Sequence, residues 1–214
     1  MSLLVTRPRH EDTTNYAFHW AGRTLDEARK RSITVLDLHD DKATRENIES
    51  MIRKKNPSLI FFNGHGDERT IYGHKEEPLV EAGRNESILR GSVTYAITCR
   101  SGKILGPRSV EKGAVAYIGY QEDFTFLYDK SLTATPLKDL TAGLFLGPAQ
   151  QPVLSLIKGR TVGEAVERTR DQFRKSIETA LTSMDPGIRS SLTYLFGDLI
   201  NLVSHGDQGA TVKP

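Results

Sequence analysis

Two short segments of the sequence place a reactive side chain directly after an apolar run of strand length. His65 follows the run 58–63, and Cys99, the sole cysteine of the 214-residue chain, follows the run 93–98. In an open parallel sheet, ligands gather outside the carboxyl ends of the strands, so we expect both side chains to face one crevice. A thiol beside an imidazole is the arrangement of a cysteine nucleophile and its proton-transfer partner.

Small residues surround both side chains. A glycine lies on each side of His65, and Ser101-Gly102 follow Cys99 closely. Glycine tolerates unusual backbone angles and lets a substrate backbone approach, although a tight structural turn uses it in the same way. A lone cysteine after an apolar strand is more often a buried small hydrophobe than a nucleophile. The occurrence of both arrangements at the ends of neighbouring predicted strands favours chemistry.

Short apolar runs alternate with helical patterns through the first part of the chain, which predicts βαβ units and an α/β fold with a mainly parallel sheet. The predicted strands are 3–6, 33–38, 59–63, 93–98 and 114–120. Thr24 and Glu27 have the spacing of a capping box, which predicts a helix that starts there and runs to about Arg31. A second helix is predicted over 44–55, ended by Asn56-Pro57.

The last third of the chain has longer helical patterns. A capping box at Thr161 and Glu164 begins a predicted helix whose apolar residues recur at three- and four-residue steps. We further predict a helix over 188–196, a turn and a short strand over 197–203, and a disordered polar tail over 204–214.

Length and composition suit a single enzyme domain, which we assign to residues 1–203. The formal net charge is +2, from 29 basic and 27 acidic residues spread along the chain, which gives no reason to propose nucleic acid as a partner. One cysteine cannot form an internal disulfide, which indicates a reducing compartment or a thiol kept for chemistry. The amino-terminal apolar run is too short for a signal peptide and no apolar run is long enough to span a membrane, so we expect a cytoplasmic protein with no membrane partner.

Spacing excludes three other kinds of site. Leu105 stands where the Cys-x5-Arg loop of a protein phosphatase needs its arginine, and Ile97 and Ile104 stand where a Walker loop needs Gly and Ser/Thr. Arg69 replaces the third small residue of a dinucleotide fingerprint. Glutamine amidotransferases place their cysteine on a glycine-flanked elbow and their histidine later in the chain. Here His205 is the only later histidine, so a glutamine amidotransferase-like hydrolase remains a weaker alternative.

The order of the two motifs, histidine before cysteine, resembles that of the caspase-like cysteine peptidases (clan CD), and within them the gingipain and CHAT-type branch. Phe62-Asn63-Gly64-His65-Gly66 resembles the family's histidine motif, and Ile97-Thr98-Cys99-Arg100-Ser101-Gly102 resembles its cysteine motif. Segments 113–119, 159–165 and 196–198 are also similar, so the resemblance covers roughly residues 1–203. Two positions depart from the family pattern: Thr98 replaces the Ala often found before the cysteine, and Leu199 replaces the Pro usual after Gly-Asp.

The resemblance implies a fold and a mechanism. The fold is a three-layer αβα sandwich of the caspase-hemoglobinase type with a mainly parallel central sheet. The activity is that of a thiol protease, in which Cys99 attacks the scissile carbonyl and His65 protonates the leaving amine. The backbone N–H groups of Gly66 and Cys99 hold the oxyanion. Protein or peptide is the substrate, and neither a cofactor nor a metal is expected.

In this family, the loop after the first strand helps to form the pocket for the residue before the cleaved bond. Asp12 lies in this loop, where gingipain-like members carry the acid that pairs with an arginine side chain, and this implies cleavage after Arg or Lys. Asp123, after the fifth predicted strand, is a second candidate for the pocket. Two other interpretations stay open: Asp12 as a helix cap, and Arg7 or Arg9 at the rim as a partner for an acidic side chain.

Regulation and partners leave further alternatives. Asp37, Asp40 and Asp41 follow the second predicted strand and could bind Ca²⁺, which activates some relatives, although a solvated turn is the simpler interpretation. The competing function is a catalytically silent interaction domain of the same fold, acting as adaptor or inhibitor. Retention of both Cys99 and His65 favours the peptidase. The protein could also need an activating partner or work within a larger assembly.

Overall fold

The computed structural model describes residues 1–212, in which one central sheet lies between two layers of helices. The strands are β1 (Ser2–Arg7), β2 (Thr34–His39), β3 (Leu59–Asn63), β4 (Thr70–Tyr72), β5 (Pro78–Glu81), β6 (Val93–Ile97), β7 (Ala116–Tyr120) and β8 (Leu202–Gly206). The helices are α1 (Asp12–Lys30), α2 (Arg45–Lys55), α3 (Leu105–Glu111), α4 (Leu140–Ala149), α5 (Gln151–Leu156), α6 (Val162–Thr182), α7 (Pro186–Ser190) and α8 (Leu192–Asn201). None of the helices in residues 1–212 combines the length and the apolar character needed to cross a membrane.

The central sheet has six strands in the order β2-β1-β3-β6-β7-β8, and β4 and β5 form a separate hairpin. The first five strands in this order are parallel, and β8 lies antiparallel to β7 at the edge. Every residue of β3, β6 and β7 is buried. Central parallel strands are covered on both faces, which is why these segments are near-continuous apolar runs in the sequence.

Helices cover the two faces of the sheet through separate apolar clusters. The sheet residues on the face covered by α1, α5 and α6 include Leu3, Val5, Phe61, Tyr95 and Ile118. Those on the face covered by α2, α3 and the β4–β5 hairpin include Leu4, Ile60, Phe62, Ala96 and Tyr117. Because successive side chains of a strand point to opposite faces, this division fixes the register of the strands. The predicted three-layer αβα sandwich with a mainly parallel sheet is confirmed.

Helix α1 begins at Asp12 rather than at Thr24. Glu11 is its N-cap: the side chain accepts the Thr14 N–H at 2.8 Å, and the Thr14 hydroxyl accepts the Glu11 N–H at 3.2 Å. Thr24 is buried within the helix and donates a hydrogen bond from its hydroxyl to Gln150 Oε1 at 3.0 Å. The predicted helix start at Thr24 is wrong because this hydroxyl serves a contact between helices.

Helices α7 and α8 divide the segment that was predicted as one helix over 188–196. Helix α8 also continues to Asn201, through most of the residues predicted as a turn and strand, and it buries Leu195 and Asp198, which lie three residues apart on one face. Strand β8 therefore starts only at Leu202.

The described part of the predicted disordered tail, residues 204–212, packs on the domain. Its first residues belong to β8, and the Val162 N–H at the start of α6 donates to Ala210 O at 2.9 Å. Val212 is 4% exposed and lies in the apolar cluster beneath α6. These contacts correct the prediction of disorder for 204–212, and residues 213–214 lie outside the described part of the chain.

Asp198 of α8 is buried against the loop that follows β7. Its Oδ1 accepts the Thr125 backbone N–H at 3.1 Å, and its Oδ2 has no hydrogen-bond partner within residues 1–212. Burial raises the pKa of this carboxyl well above 3.8, because a low-dielectric environment disfavours the charged form. Asp198 therefore anchors Thr125 through Oδ1 in a site that disfavours its charged form.

We expect Asp198→Asn to be more stable than the wild type at neutral pH and about as stable in acid. The raised pKa means that the folded state binds this proton more tightly than the unfolded chain does. The bound proton therefore adds to the free energy of unfolding. This contribution is complete below about pH 4 and is lost as the pH rises. Asn keeps an acceptor for the Thr125 N–H and has no proton to lose.

Urea unfolding near pH 4 and near pH 7 measures the difference in the free energy of unfolding between the two proteins. Asp171→Asn, on the exposed face of α6, is the matched control. A difference between Asp198→Asn and wild type that does not grow with pH contradicts the burial account.

Candidate active site

The carboxyl ends of β1, β3 and β6 lie side by side at one edge of the sheet. β1 pairs with β3 as far as Thr6–Phe62, and β3 pairs with β6 as far as Asn63–Ile97. His65 and Cys99 follow the ends of β3 and β6, and both line the same cavity. The structure thus brings together the two side chains that the sequence predicts to face one crevice.

The cavity lies between these strand ends and the helices α1 and α4. Its volume of about 190 Å³ is several times the roughly 30 Å³ that a water molecule occupies in the liquid. Besides the two reactive residues it is lined by Thr13, Thr14, Ala17, Gly64, Ile97, Thr98, Phe124, Thr125, Phe126 and Leu146. Within residues 1–212, this lining contains no carboxylate, lysine or arginine. The wall opposite the strand ends is mainly apolar.

Glu11 contacts the ring of His65. Its Oε1 lies 3.1 Å from His65 Nε2 and also accepts the Thr14 N–H at the start of α1. Partial burial acts to raise the pKa of Glu11, but hydrogen bonds from Thr13, Thr14 and His65 outweigh it and lower the pKa to about 2. The carboxylate is therefore ionised at neutral pH, with its Oε1 at hydrogen-bond distance from His65 Nε2.

Cys99 is partly buried, two residues beyond the end of β6. Its thiol lies against the loop after β7, with Sγ 3.8 Å from the backbone oxygen of Phe124. Burial, and after it the negative charge of Asp123, raises the pKa of the thiol to about 11. Cys99 is consequently protonated at neutral pH in this state of the protein.

Glycines allow the histidine segment to lie against its neighbours. A Cβ on Gly66 would lie 2.8 Å from Thr98 Cβ, which is closer than such atoms approach in proteins. Gly64 has φ +135°, in the region that favours glycine, and a Cβ there would lie 3.0 Å from Pro8 Cγ. The two glycines that flank His65 are thus required by the close packing of three loops.

The residues after Cys99 are held to the loop after β7. Arg100 adopts a left-handed conformation with φ +52°, and its N–H donates to Glu122 O at 3.1 Å. Its guanidinium pairs with Asp123, with 2.9 Å between Nε and Oδ1. These contacts place the negative charge of Asp123 close to the thiol.

Neither acid that was predicted to recognise a basic side chain lines the cavity formed within residues 1–212. Asp12 is the exposed first residue of α1, and the helix cap is its neighbour Glu11. Asp12 lies near Tyr128, whose pKa is raised first by burial and then by the charge of Asp12. Asp123 is 60% exposed and paired with Arg100. The structure places both acids beside the cavity.

Of the two residues whose backbone N–H groups are predicted to form an oxyanion hole, Cys99 lines the cavity, whereas Gly66 pairs with Ile71 in an isolated β-bridge and is not among the lining residues. Gly66 follows the histidine, and Cys99 lies beyond the last paired residue of β6. In the described part of the chain, neither N–H donates a hydrogen bond to a turn, a loop or a side chain.

Glu11 and the aromatic wall of the cavity were not predicted from the sequence. Glu11 precedes Thr14 by three residues, which is the capping-box spacing with the two residue types exchanged, and this signal could have located the start of α1. Phe124, Phe126 and Tyr128 alternate along the loop after β7. Aromatic residues that alternate in a loop outside the strands indicate an aromatic wall of a cavity.

Two of the three acids considered for Ca²⁺ are engaged elsewhere, and the third, Asp41, is exposed. Asp37 accepts a hydrogen bond from Arg7 Nε at 2.9 Å, and Asp40 Oδ2 lies 3.0 Å from His39 Nδ1. Arg7 is 8% exposed in this pair, so it is closed to an acidic substrate. Within residues 1–212, the one cluster of three or more ligand-type side chains is formed by His10, His65 and Glu76.

No protein-family model and no curated protein matches this sequence. Solved structures of cysteine proteinases are similar in fold. The Arg-specific cysteine proteinase gingipain R (RgpB) aligns with a TM-score of 0.65 and 13% identity, over 99% of this chain and 47% of its own. The complex of Porphyromonas gingivalis RgpB pro- and mature domains aligns with a TM-score of 0.61 and 10% identity, over 99% of this chain and 48% of its own.

An inactive zymogen C11 protease from Parabacteroides distasonis aligns with a TM-score of 0.42 and 10% identity, over 84% of this chain and 65% of its own. The present chain spans about half the length of the two gingipain structures. At these identities the likeness concerns the fold. The chain has the caspase-like α/β fold that the gingipain R structures display.

Proposed function

We propose that this chain is a cysteine endopeptidase with Cys99 as nucleophile and His65 as acid–base partner. The observation that carries the proposal is that both side chains line one cavity, while Glu11 holds a ring nitrogen of the histidine. An imidazole supported by a carboxylate beside a thiol is the arrangement that activates a cysteine for acyl transfer. The gingipain-like fold supports the same chemistry by analogy.

The reaction begins with transfer of the Cys99 proton to His65, and the resulting thiolate attacks the scissile carbonyl carbon. The oxyanion that forms accepts hydrogen bonds from the N–H groups of Gly66 and Cys99. His65 then gives its proton to the leaving amine, which leaves a thioester on Cys99. Water hydrolyses the thioester and restores the thiol, with His65 again moving the proton.

Glu11 supports the first of these steps. Its pKa of about 2 keeps it ionised, so it stabilises the imidazolium that forms when His65 takes the thiol proton. The contact uses Nε2 of His65, which leaves Nδ1 to exchange protons with Cys99 and the substrate. Glu11 is in this sense a positioning residue for His65.

The cavity supports cleavage after an apolar residue. Ala17, Phe126 and Leu146 lie in its lining, whereas Asp12 and Asp123, the acids from which cleavage after Arg or Lys was predicted, do not. Burying an unpaired guanidinium or ammonium among apolar groups is costly, and burying an apolar side chain of medium size is favourable. We therefore propose Leu, Met or Phe before the cleaved bond in preference to Arg or Lys.

A latent or partner-activated form is the second candidate. The raised pKa of Cys99, about 11, favours it, because a protonated thiol is a poor nucleophile at neutral pH. A peptide or a partner that moves the Phe124 oxygen or Asp123 away from the thiol would remove part of this barrier.

A panel of fluorogenic peptides tests the proposed peptidase. Peptides that end in Leu, Met, Phe, Arg, Lys or Asp before the fluorophore are compared with wild type, Cys99→Ala and His65→Ala. We expect cleavage after the apolar residues to exceed cleavage after Arg by at least about tenfold, because the wrong side chain leaves a charge unpaired. Both variants should lose activity by at least about a hundredfold.

Asp12→Ala is the control for specificity in the same panel. We expect it to leave the ratio of cleavage after Leu to cleavage after Arg unchanged, because Asp12 is exposed outside the cavity. Arg as the best residue in wild type, with a loss in Asp12→Ala, contradicts the apolar pocket. Cleavage that survives in Cys99→Ala contradicts the cysteine mechanism.

Asp123→Asn should make Cys99 more reactive. Removal of this negative charge takes away one cause of the raised thiol pKa, so the pH midpoint of Cys99 alkylation by iodoacetamide should fall. The expected fall is up to about one pH unit at low salt, and less at high salt, because a 60% exposed side chain acts through solvent.

Glu122→Gln is the matched control for Asp123→Asn. Glu122 is the neighbouring acid, 55% exposed, and its carboxylate lies 3.8 Å from Lys103 Nζ. We expect its alkylation profile to match that of wild type. Equal shifts in both variants would attribute the effect to general surface charge rather than to Asp123.

A further inference from the structure

Four side chains with metal-binding atoms meet next to the cavity. His10 and Glu11 follow β1, His65 follows β3, and Glu76 comes from the turn between β4 and β5. His10 Nε2 lies 3.0 Å from Glu76 Oε1, and His65 Nε2 lies 3.9 Å from the same oxygen. Glu11 Oε1 also lies 3.1 Å from His65 Nε2, but it does not belong to the cluster that His10, His65 and Glu76 form.

The spacing of these atoms suits a tetrahedral ion. With ligand bonds of about 2.0–2.1 Å, tetrahedral zinc places its donor atoms roughly 3.3 Å apart. The two distances to Glu76 Oε1, 3.0 and 3.9 Å, lie on either side of this value. The donor atoms of His10, His65 and Glu76 are all within 4.8 Å of one another, so only a small contraction is needed.

The surrounding structure holds the two histidines and leaves one ligand free to adjust. The His10 side chain is 15% exposed, and its backbone N–H donates to Thr14 Oγ1 at 3.1 Å in the cap of α1. The backbone of His65 lies between the closely packed Gly64 and Gly66, and its side chain is 41% exposed. Glu76 is 52% exposed at its side chain and can close onto an ion without disturbing the core.

The donor set selects the class of ion. Two imidazole nitrogens with one or two carboxylate oxygens suit zinc and similar transition metals, whereas Ca²⁺ and Mg²⁺ prefer oxygen ligands throughout. The carboxylate of Glu76 would also offset part of the charge of a divalent cation.

We propose that His10, His65 and Glu76 bind Zn²⁺ or a similar divalent transition metal, and that this binding inhibits the peptidase. The regulatory part rests on the proposed function. A metal on Nε2 takes the lone pair of that nitrogen, so the proton of the neutral ring sits on Nδ1. His65 then has no free nitrogen to accept the proton of Cys99, and the thiolate does not form.

Zinc binding is measured first in Cys99→Ala, by competition with a chromophoric chelator at neutral pH. This variant has no nucleophile, so the measurement does not depend on peptidase activity, and binding cannot use the thiol. We expect one Zn²⁺ per chain. His10→Gln and Glu76→Gln, each made in the Cys99→Ala background, should weaken binding by tenfold or more.

His74→Gln, also in the Cys99→Ala background, is the matched control. The ring of His74 lies 5.7 Å from that of His10, centroid to centroid, but His74 lies outside the cluster. It should bind Zn²⁺ as Cys99→Ala alone does. No binding at micromolar Zn²⁺ by Cys99→Ala, or equal affinity in His10→Gln, Glu76→Gln and His74→Gln, overturns the site.

Peptide cleavage by the wild type then tests inhibition separately. The Zn²⁺ concentration for half-inhibition should match the dissociation constant and should rise in His10→Gln by the same factor. Binding with no effect on cleavage overturns the regulatory role. If the chain binds Zn²⁺ through these residues but cleaves no peptide, the metal site stands and the proposed peptidase is contradicted. If it cleaves peptides but binds no Zn²⁺, the peptidase stands and the metal site is contradicted.

Discussion

The parallel pairing of β1, β3 and β6 is the constraint on which the rest of the structure depends. Parallel strands end at the same edge of a sheet, so three loops that are distant in sequence must meet there. Two of these loops carry His65 and Cys99, and the third begins α1 with Glu11. Gly66 permits the final approach, because any side chain there would collide with Thr98. The site is therefore a consequence of strand order.

Glu11 couples the stability of the fold to the chemistry of the site. The same carboxylate that caps α1 lies against His65 Nε2. Capping residues of helices typically contribute on the order of 1 kcal/mol to stability. The fold and the activation of the imidazole thus share one carboxylate at the start of α1. A zinc ion bound to His65 Nε2 would use the nitrogen that Glu11 contacts.

The buried strands and the carboxyl-end position of His65 and Cys99 could be predicted because parallel strands covered on both faces require apolar runs. The start of α1 could not, because Thr24 has a capping hydroxyl that a tertiary contact with Gln150 uses instead. The position of Asp12 outside the cavity could not be predicted either, because it follows from the start of α1 at Asp12. Local patterns carry little information about such contacts, which join residues far apart in the chain.

The most direct test of the account is the rate at which a peptidyl acyloxymethyl ketone with Leu next to the reactive group labels Cys99, followed by mass spectrometry. Labelling requires a thiolate beside the cavity and a partner that takes its proton. The account predicts that the wild type forms an adduct on Cys99. It also predicts that the same adduct forms at least about tenfold more slowly in His65→Ala. Equal rates in the two proteins, or a rate no higher than that of a small free thiol, would contradict the claim that Cys99 and His65 act as a pair.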